Sequence, residues 1–288
     1  MASISQPLNQ SDSAGRFARF VRTHPILLFF VLTYLIGWGM VVLRLLFWLG
    51  IIRSNAPNWW VAASFWAPCM AALLVQWMSD RNFKVCRLYQ GFGKFVLGLV
   101  VGSLLVLVCN VVVAGVVAEK GQLRNLNWSV FFSLSSYRLG YSGLIATIGE
   151  EIGWRGFALP RLQRRFGPVA ASVLVGLMWA GFMLPAFAIV QFWNVAQILM
   201  YAIAMVALSV EMTFAVNLSG LSVIVAITMH FLAQAESLTR SFVAHPPSGW
   251  EWRTSISNLL VPVILVLVTR GRLASKTYAD DAGSTRAD

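Results

Sequence analysis

Hydrophobic residues run in long stretches along most of this chain, and the polar and charged positions gather in the gaps between them. A helix rising about 1.5 Å per residue needs roughly 20 apolar residues to cross a hydrocarbon core about 30 Å thick. Runs of that kind occupy 26–52, 59–77, 95–118, 169–190 and 195–216, the first carrying Arg44 as its one charge. Three more are less uniform. The run 130–159 contains Arg138 and a pair of carboxylates, 221–235 contains His230, and 259–268 is short unless it begins near Trp252. Together they predict an all-α fold, a polytopic membrane helix bundle of about eight transmembrane helices.

Composition agrees with that pattern. Hydrophobic residues make up 58% and charged residues 11%, with a mean hydropathy of +0.71, whereas a soluble domain carries roughly 25% charged residues. The first run, about 27 residues long, exceeds the roughly 7–15 residues of a signal-peptide core and is expected to stay as an anchor. The expected layout is one transmembrane domain over 25–270, with polar tails at 1–24 and 271–288.

Basic residues then set an orientation, because loops rich in Lys and Arg stay on the cytoplasmic side. Arg16, Arg19 and Arg22 precede the first run, and Arg81, Lys84, Arg87 and Lys94 follow the second. Arg161, Arg164 and Arg165 lie between the fourth and fifth, and Arg270, Arg272 and Lys276 follow the last. A multi-pass protein of the cell membrane with both termini cytoplasmic is therefore expected, although Lys120 and Arg124 fall in a loop this scheme puts outside. The net charge of +11 is spread over several loops without interleaved aromatics. That suits anionic lipid and does not suggest a nucleic-acid partner. Cys69, Cys86 and Cys109 have neither metal-ligand spacing nor a disulfide framework, and read as packing residues.

Acidic residues are scarce within the apolar runs: Glu150, Glu151, Glu211 and Glu236 are the ones found there. An ionisable group in the membrane marks a functional site by default. Glu211 and Glu236 sit near expected helix ends, from which they can reach the interface. Glu150 and Glu151 sit in Gly149-Glu150-Glu151-Ile152-Gly153-Trp154-Arg155, a segment expected to be helical as far as Pro160. On a helix, Glu151 and Arg155 share a face and can form a charge-assisted pair, while Glu150 points about 100° away. A carboxylate left out of that pair is available for general acid–base work. A structural ion-pair network including Arg138, and a packing role for His230, are the plainer alternatives.

Glu150, Glu151 and Arg155 resemble the first motif, Glu-Glu-x-x-x-Arg, of the CAAX protease and bacteriocin-processing family. These are multi-span intramembrane endopeptidases that include CAAX prenyl protease 2 and lysostaphin-resistance-protein-A-like members. The family's second motif is an aromatic, three residues and a His, usually continued by Leu-Pro. Trp179-Ala180-Gly181-Phe182-Met183-Leu184-Pro185 has that frame with Met183 at the His position. The third motif, His followed four residues later by Asn, corresponds to His230 and Gln234. The resemblance covers about 140–234.

It implies hydrolysis of a peptide bond in a peptide or membrane-protein substrate near the cytoplasmic leaflet. Glu150 would activate the water, Glu151 and Arg155 would brace the helix, and His230 with Gln234 would stabilise the oxyanion. Counted from the inside-facing helix ends, Glu150, Met183 and His230 are expected about 16, 22 and 18 Å deep. The Met183 thioether cannot transfer a proton at neutral pH, so reduced activity is expected. Gln234 can still donate, from one methylene further out. With His230 alone at the motif positions, no tightly bound metal or other cofactor is expected, and dependence on a divalent ion stays open. Two other functions stay open as well: an inactive relative that binds a membrane partner, and a small-solute or proton carrier using Glu150, Glu151 and His230 as a relay.

Overall fold

The computed structural model describes residues 19–51, 63–88, 91–117, 141–185, 188, 194–234 and 250–275, and within these the apolar runs are mostly helical. In chain order the helices are α1 (Pro25–Trp48), α2 (Ala67–Asp80), α3 (Phe92–Val117) and α4 (Tyr141–Glu151), then a π-helix (Ile152–Ala158). After it come α5 (Leu159–Pro185), α6 (Val195–Leu218), α7 (Val223–Gln234), α8 (Trp250–Asn258) and α9 (Leu260–Val268). Among the described residues the one β feature is an isolated bridge between Arg87 and Ser222. The fold is an all-α membrane helix bundle.

Among the described residues, four helical stretches are long and apolar enough to cross a membrane: Pro25–Phe47, Phe92–Val112, Gly143–Pro185 and Val195–Leu218. Val223–Gln234 and Ser255–Val268 are shorter apolar helices. Gly143–Pro185, at 43 residues, is roughly twice what one crossing takes, and it turns within α5. Gly167 has φ 78° and ψ 170°, a region essentially reserved for glycine, and Pro168 after it has no N–H with which to continue the first helix. This turn separates the runs 130–159 and 169–190.

The helix end expected at Pro160 is not found there. A proline ring conflicts with the carbonyl four residues back in α geometry. Here the wider π-helix precedes it, with the Leu159 N–H bonded five residues back to Trp154 O, and the chain passes Pro160 without stopping.

Polar bonds tie several chain segments together at one end of the bundle. Arg22 Nε donates to Ser79 O at 3.1 Å, Arg161 Nη2 to Gln76 Oε1 at 2.6 Å, and Gln163 Nε2 to Asn217 Oδ1 at 3.1 Å. Asn217 Nδ2 donates to Leu273 O at 2.9 Å, and Val223 N to Arg87 O at 2.9 Å. The start of α1, the end of α2, the start of α5, the α6–α7 turn and the segment after α9 therefore share this end. With them come Arg22, Arg81, Lys84, Arg87, Arg161, Arg164, Arg165, Arg270 and Arg272. At the other end Asn194 and Gln197 cap α6 reciprocally, each side chain bonded to the other's backbone N–H at 2.9 Å.

Between the ends, aromatic and small residues hold the helices. Tyr34 Oη donates to Met178 O at 2.6 Å and Trp38 Nε1 to Phe182 O at 3.1 Å, fastening α1 to α5. Ser209 Oγ donates to Ser172 O at 2.8 Å between α6 and α5. Phe29, Trp154, Phe157 and Phe182 pack as one aromatic cluster. Leu35, Val111, Leu267 and Val268 face outward, where alkyl groups match the lipid.

Glu211 departs from its expected place near the interface. It is 3% exposed and accepts a hydrogen bond from the Cys109 thiol, Sγ to Oε1 3.0 Å. Cys109 is therefore a polar partner and not simply a packing residue. Glu236 and Arg138 lie outside the described residues.

Candidate intramembrane active site

Glycine brings the charged string into place. A Cβ on Gly153 would meet Pro68 Cβ at 2.4 Å and the Pro68 backbone at 2.6 Å, so the π-helix lies against the start of α2 closer than any other residue would allow. The carboxylates belong to other faces of this segment and are enclosed by α5 and α7. Glu150 is 4% exposed, Glu151 0%, Arg155 1% and His230 8%.

Arg155 Nη1 donates to Glu151 Oε1 at 3.0 Å, the expected one-turn pair. The same oxygen lies 2.8 Å from His230 Nδ1. Glu150 takes a different partner: Trp179 Nε1 donates to its Oε2 at 2.5 Å. Trp179 also meets the His230 ring edge-on, centroids 4.7 Å apart at 70°, and the Arg155 guanidinium lies over its face at 4.5 Å. Gln234 Nε2 donates to Thr147 Oγ1 at 2.9 Å, and that hydroxyl donates to Gly143 O at 2.9 Å.

The structure thus brings Glu150, Glu151, Arg155 and His230 together, with the imidazole bonded to Glu151 instead of Glu150. Gln234 reaches back to α4 through Thr147. Met183 sits one turn beyond Trp179, partly buried against the hydrophobic core. Depth explains that order. Trp179 is about 16 Å above Pro168 and Glu150 about 16 Å above Arg161, while Met183 is about 6 Å further out. The expected depth of His230 needs correction, because residues 219–222 form a turn and α7 starts at Val223, leaving about 10 Å of helix beneath His230.

Trp179 and Thr147 were not counted as site residues in the sequence. The signal for Trp179 was its place as the second motif's aromatic. Thr147 gave none beyond lying one turn before Glu151.

Among the described residues, several buried polar atoms here have no hydrogen-bond partner: Glu151 Oε2, Arg155 Nε and Arg155 Nη2. Such groups are costly in an apolar interior unless bonded, so the site keeps donor and acceptor capacity for water or a peptide group. Among the described residues, no group of three or more His, Cys, Asp and Glu side chains is placed to hold a metal ion.

Residues 128–235 match the family model described as type II CAAX prenyl endopeptidase Rce1-like. No curated protein matches the chain. The matched segment contains the first-motif acids and arginine, Trp179, Met183, His230 and Gln234, and it supports a membrane protease of the CAAX type acting on membrane-associated peptides. Over this segment the match shows the family that the Glu150–Arg155 string resembles, the CAAX protease and bacteriocin-processing family.

Proposed function

We propose that this chain is an intramembrane endopeptidase in which the Glu150 carboxylate takes a proton from a water molecule as that water attacks a peptide carbonyl. One observation carries the reading. Glu150 is buried and bonded to a neutral indole donor, with no cation ion-paired to it among the described residues, while Glu151 beside it is committed to Arg155 and His230. A carboxylate held this way stays positioned and keeps its capacity to accept a proton.

Glu151 and Arg155 brace the helix, and Gln234 stands one turn from His230 as a candidate oxyanion donor. The substrate is a peptide segment anchored in or beside the membrane. The chain is multi-pass, with both termini and the basic end of the bundle in the cytoplasm, which puts the reaction about 16 Å from that end. The reading requires no tightly bound metal.

A second reading, an inactive relative that binds a membrane partner, is favoured by Met183 alone. Both are tested with the purified full chain in detergent and a fluorogenic peptide library that includes prenylated C-terminal peptides. Cleavage abolished by Glu150→Gln is the expected result, and wild-type turnover no greater than that of Glu150→Gln sinks the proposal. Met183→His is expected to raise cleavage at least about tenfold by restoring an acid–base group. A folded Met183→His protein that still cleaves nothing points to the inactive relative.

A further inference from the structure

One nitrogen of His230 is already committed. Nδ1 lies 2.8 Å from Glu151 Oε1, the oxygen that accepts from Arg155 Nη1 at 3.0 Å. A carboxylate paired to a guanidinium is ionised and has no proton to give, so Nδ1 carries the hydrogen in its contact with Glu151. In the neutral ring Nε2 is then a bare lone pair. Trp179, edge-on to the ring at 4.7 Å, fixes the plane in which that lone pair points. The charged and titratable groups facing the imidazole among the described residues are Glu150 and Glu151 of α4 and Arg155 of the π-helix, with Trp179 of α5 packed beside them.

A bare Nε2 cannot donate to an oxyanion, which is the role the family pattern assigns to a histidine here. It can only accept. We infer that His230 Nε2 is a second proton acceptor of this site beside Glu150. This rests on the endopeptidase reading above.

One O–H of the attacking water points to Glu150 and the other to Nε2. As the water oxygen bonds to the carbonyl carbon and the C=O π pair moves onto its oxygen, the first proton passes to Glu150. When the C–N bond breaks, Glu150 returns that proton to the leaving nitrogen. The remaining hydroxyl proton passes to Nε2, and the product is a carboxylate. One peptide and one water become a carboxylate and an amine, with a proton left on His230 for release to solvent. Glu151 steadies the imidazolium in the meantime, as a carboxylate does behind a catalytic imidazole.

The chain contains three histidines, few enough for ¹⁵N-histidine NMR of the full chain in detergent micelles, with the His230 signals identified by their loss in His230→Gln. Protonated Nδ1 with unprotonated Nε2 at neutral pH is the expected state. A hydrogen on Nε2, in the other tautomer or an imidazolium, overturns the inference. Turnover gives an independent reading, because glutamine keeps a donor but cannot take a proton. His230→Gln should fall as far as His230→Ala, roughly 10²- to 10⁴-fold. Retention of more than about a tenth of wild-type rate by His230→Gln, with His230→Ala inactive, identifies an oxyanion donor and overturns the inference. Absence of any Glu150-dependent cleavage by wild type removes the endopeptidase reading itself, whereas cleavage with Nε2 protonated removes this inference alone.

Discussion

At the scale of single residues, Trp179 holds the site together through three contacts of different kinds: an N–H on Glu150, an edge on His230 and a face under Arg155. Trp179→Phe keeps a ring in place and removes only the donor. A hydrogen bond to a charged group is worth about 1.5–3 kcal/mol, so Glu150-dependent turnover should fall roughly 10- to 100-fold, mainly in kcat, and the melting temperature should fall as well because the buried carboxylate loses its donor. An unchanged kcat would mean that Glu150 needs no fixed donor. Arg155 behaves differently, since removing one partner leaves a charge buried alone. Arg155→Met should cost about 3–5 kcal/mol, measured by thermal unfolding in detergent, and Arg155→Met combined with Glu151→Leu should cost less than Arg155→Met by itself. The Glu151–Arg155 pair was legible in the sequence because both ends sit on one local stretch of helix. The choice of Glu151 by His230 was not. It depends on where α7 begins, and that is set by the 219–222 turn, where the Ser222 hydroxyl donates to the distant Leu88 carbonyl.

At the scale of elements, the segment from α4 into α5 shows why helix boundaries were harder to read than helices. Over the described residues the apolar runs survive as helix because burial and lipid contact depend on composition along a whole stretch. Pro160 misled because a proline stops an α-helix only where the preceding turn cannot widen, and the π-helix supplies that widening next to the site, where such turns are often found. The true stop is Gly167-Pro168, whose signal is backbone freedom followed by a missing donor. Gly153→Ala should be destabilising by about 1–3 kcal/mol, because the new methyl overlaps Pro68 and neither backbone can retreat without shifting the helices. Its activity should fall as well, since the segment it displaces carries Glu150 and Glu151. A variant with unaltered melting and turnover would show that α2 and the π-helix are not pressed together in the membrane.

Across the whole molecule, the hydrogen bonds among α1, α2, α5, the α6–α7 turn and Leu273 collect the basic residues at one end. Each Lys or Arg near an anionic cytoplasmic leaflet gains about 1 kcal/mol, and nine such residues at one end outweigh the pull of scattered charges elsewhere. Lys84 and Arg164 are exposed at this end, and Asn194 is exposed at the other. In a background with Cys69, Cys86 and Cys109 replaced, Asn194→Cys should react with a membrane-impermeant maleimide in intact cells. Lys84→Cys and Arg164→Cys should react only after permeabilisation. The reverse pattern would turn the bundle over and move Glu150, about 16 Å from the basic end, toward the opposite leaflet. Peptides presented on the cytoplasmic face could then not be its substrates, so the labelling result decides which face must present the peptide.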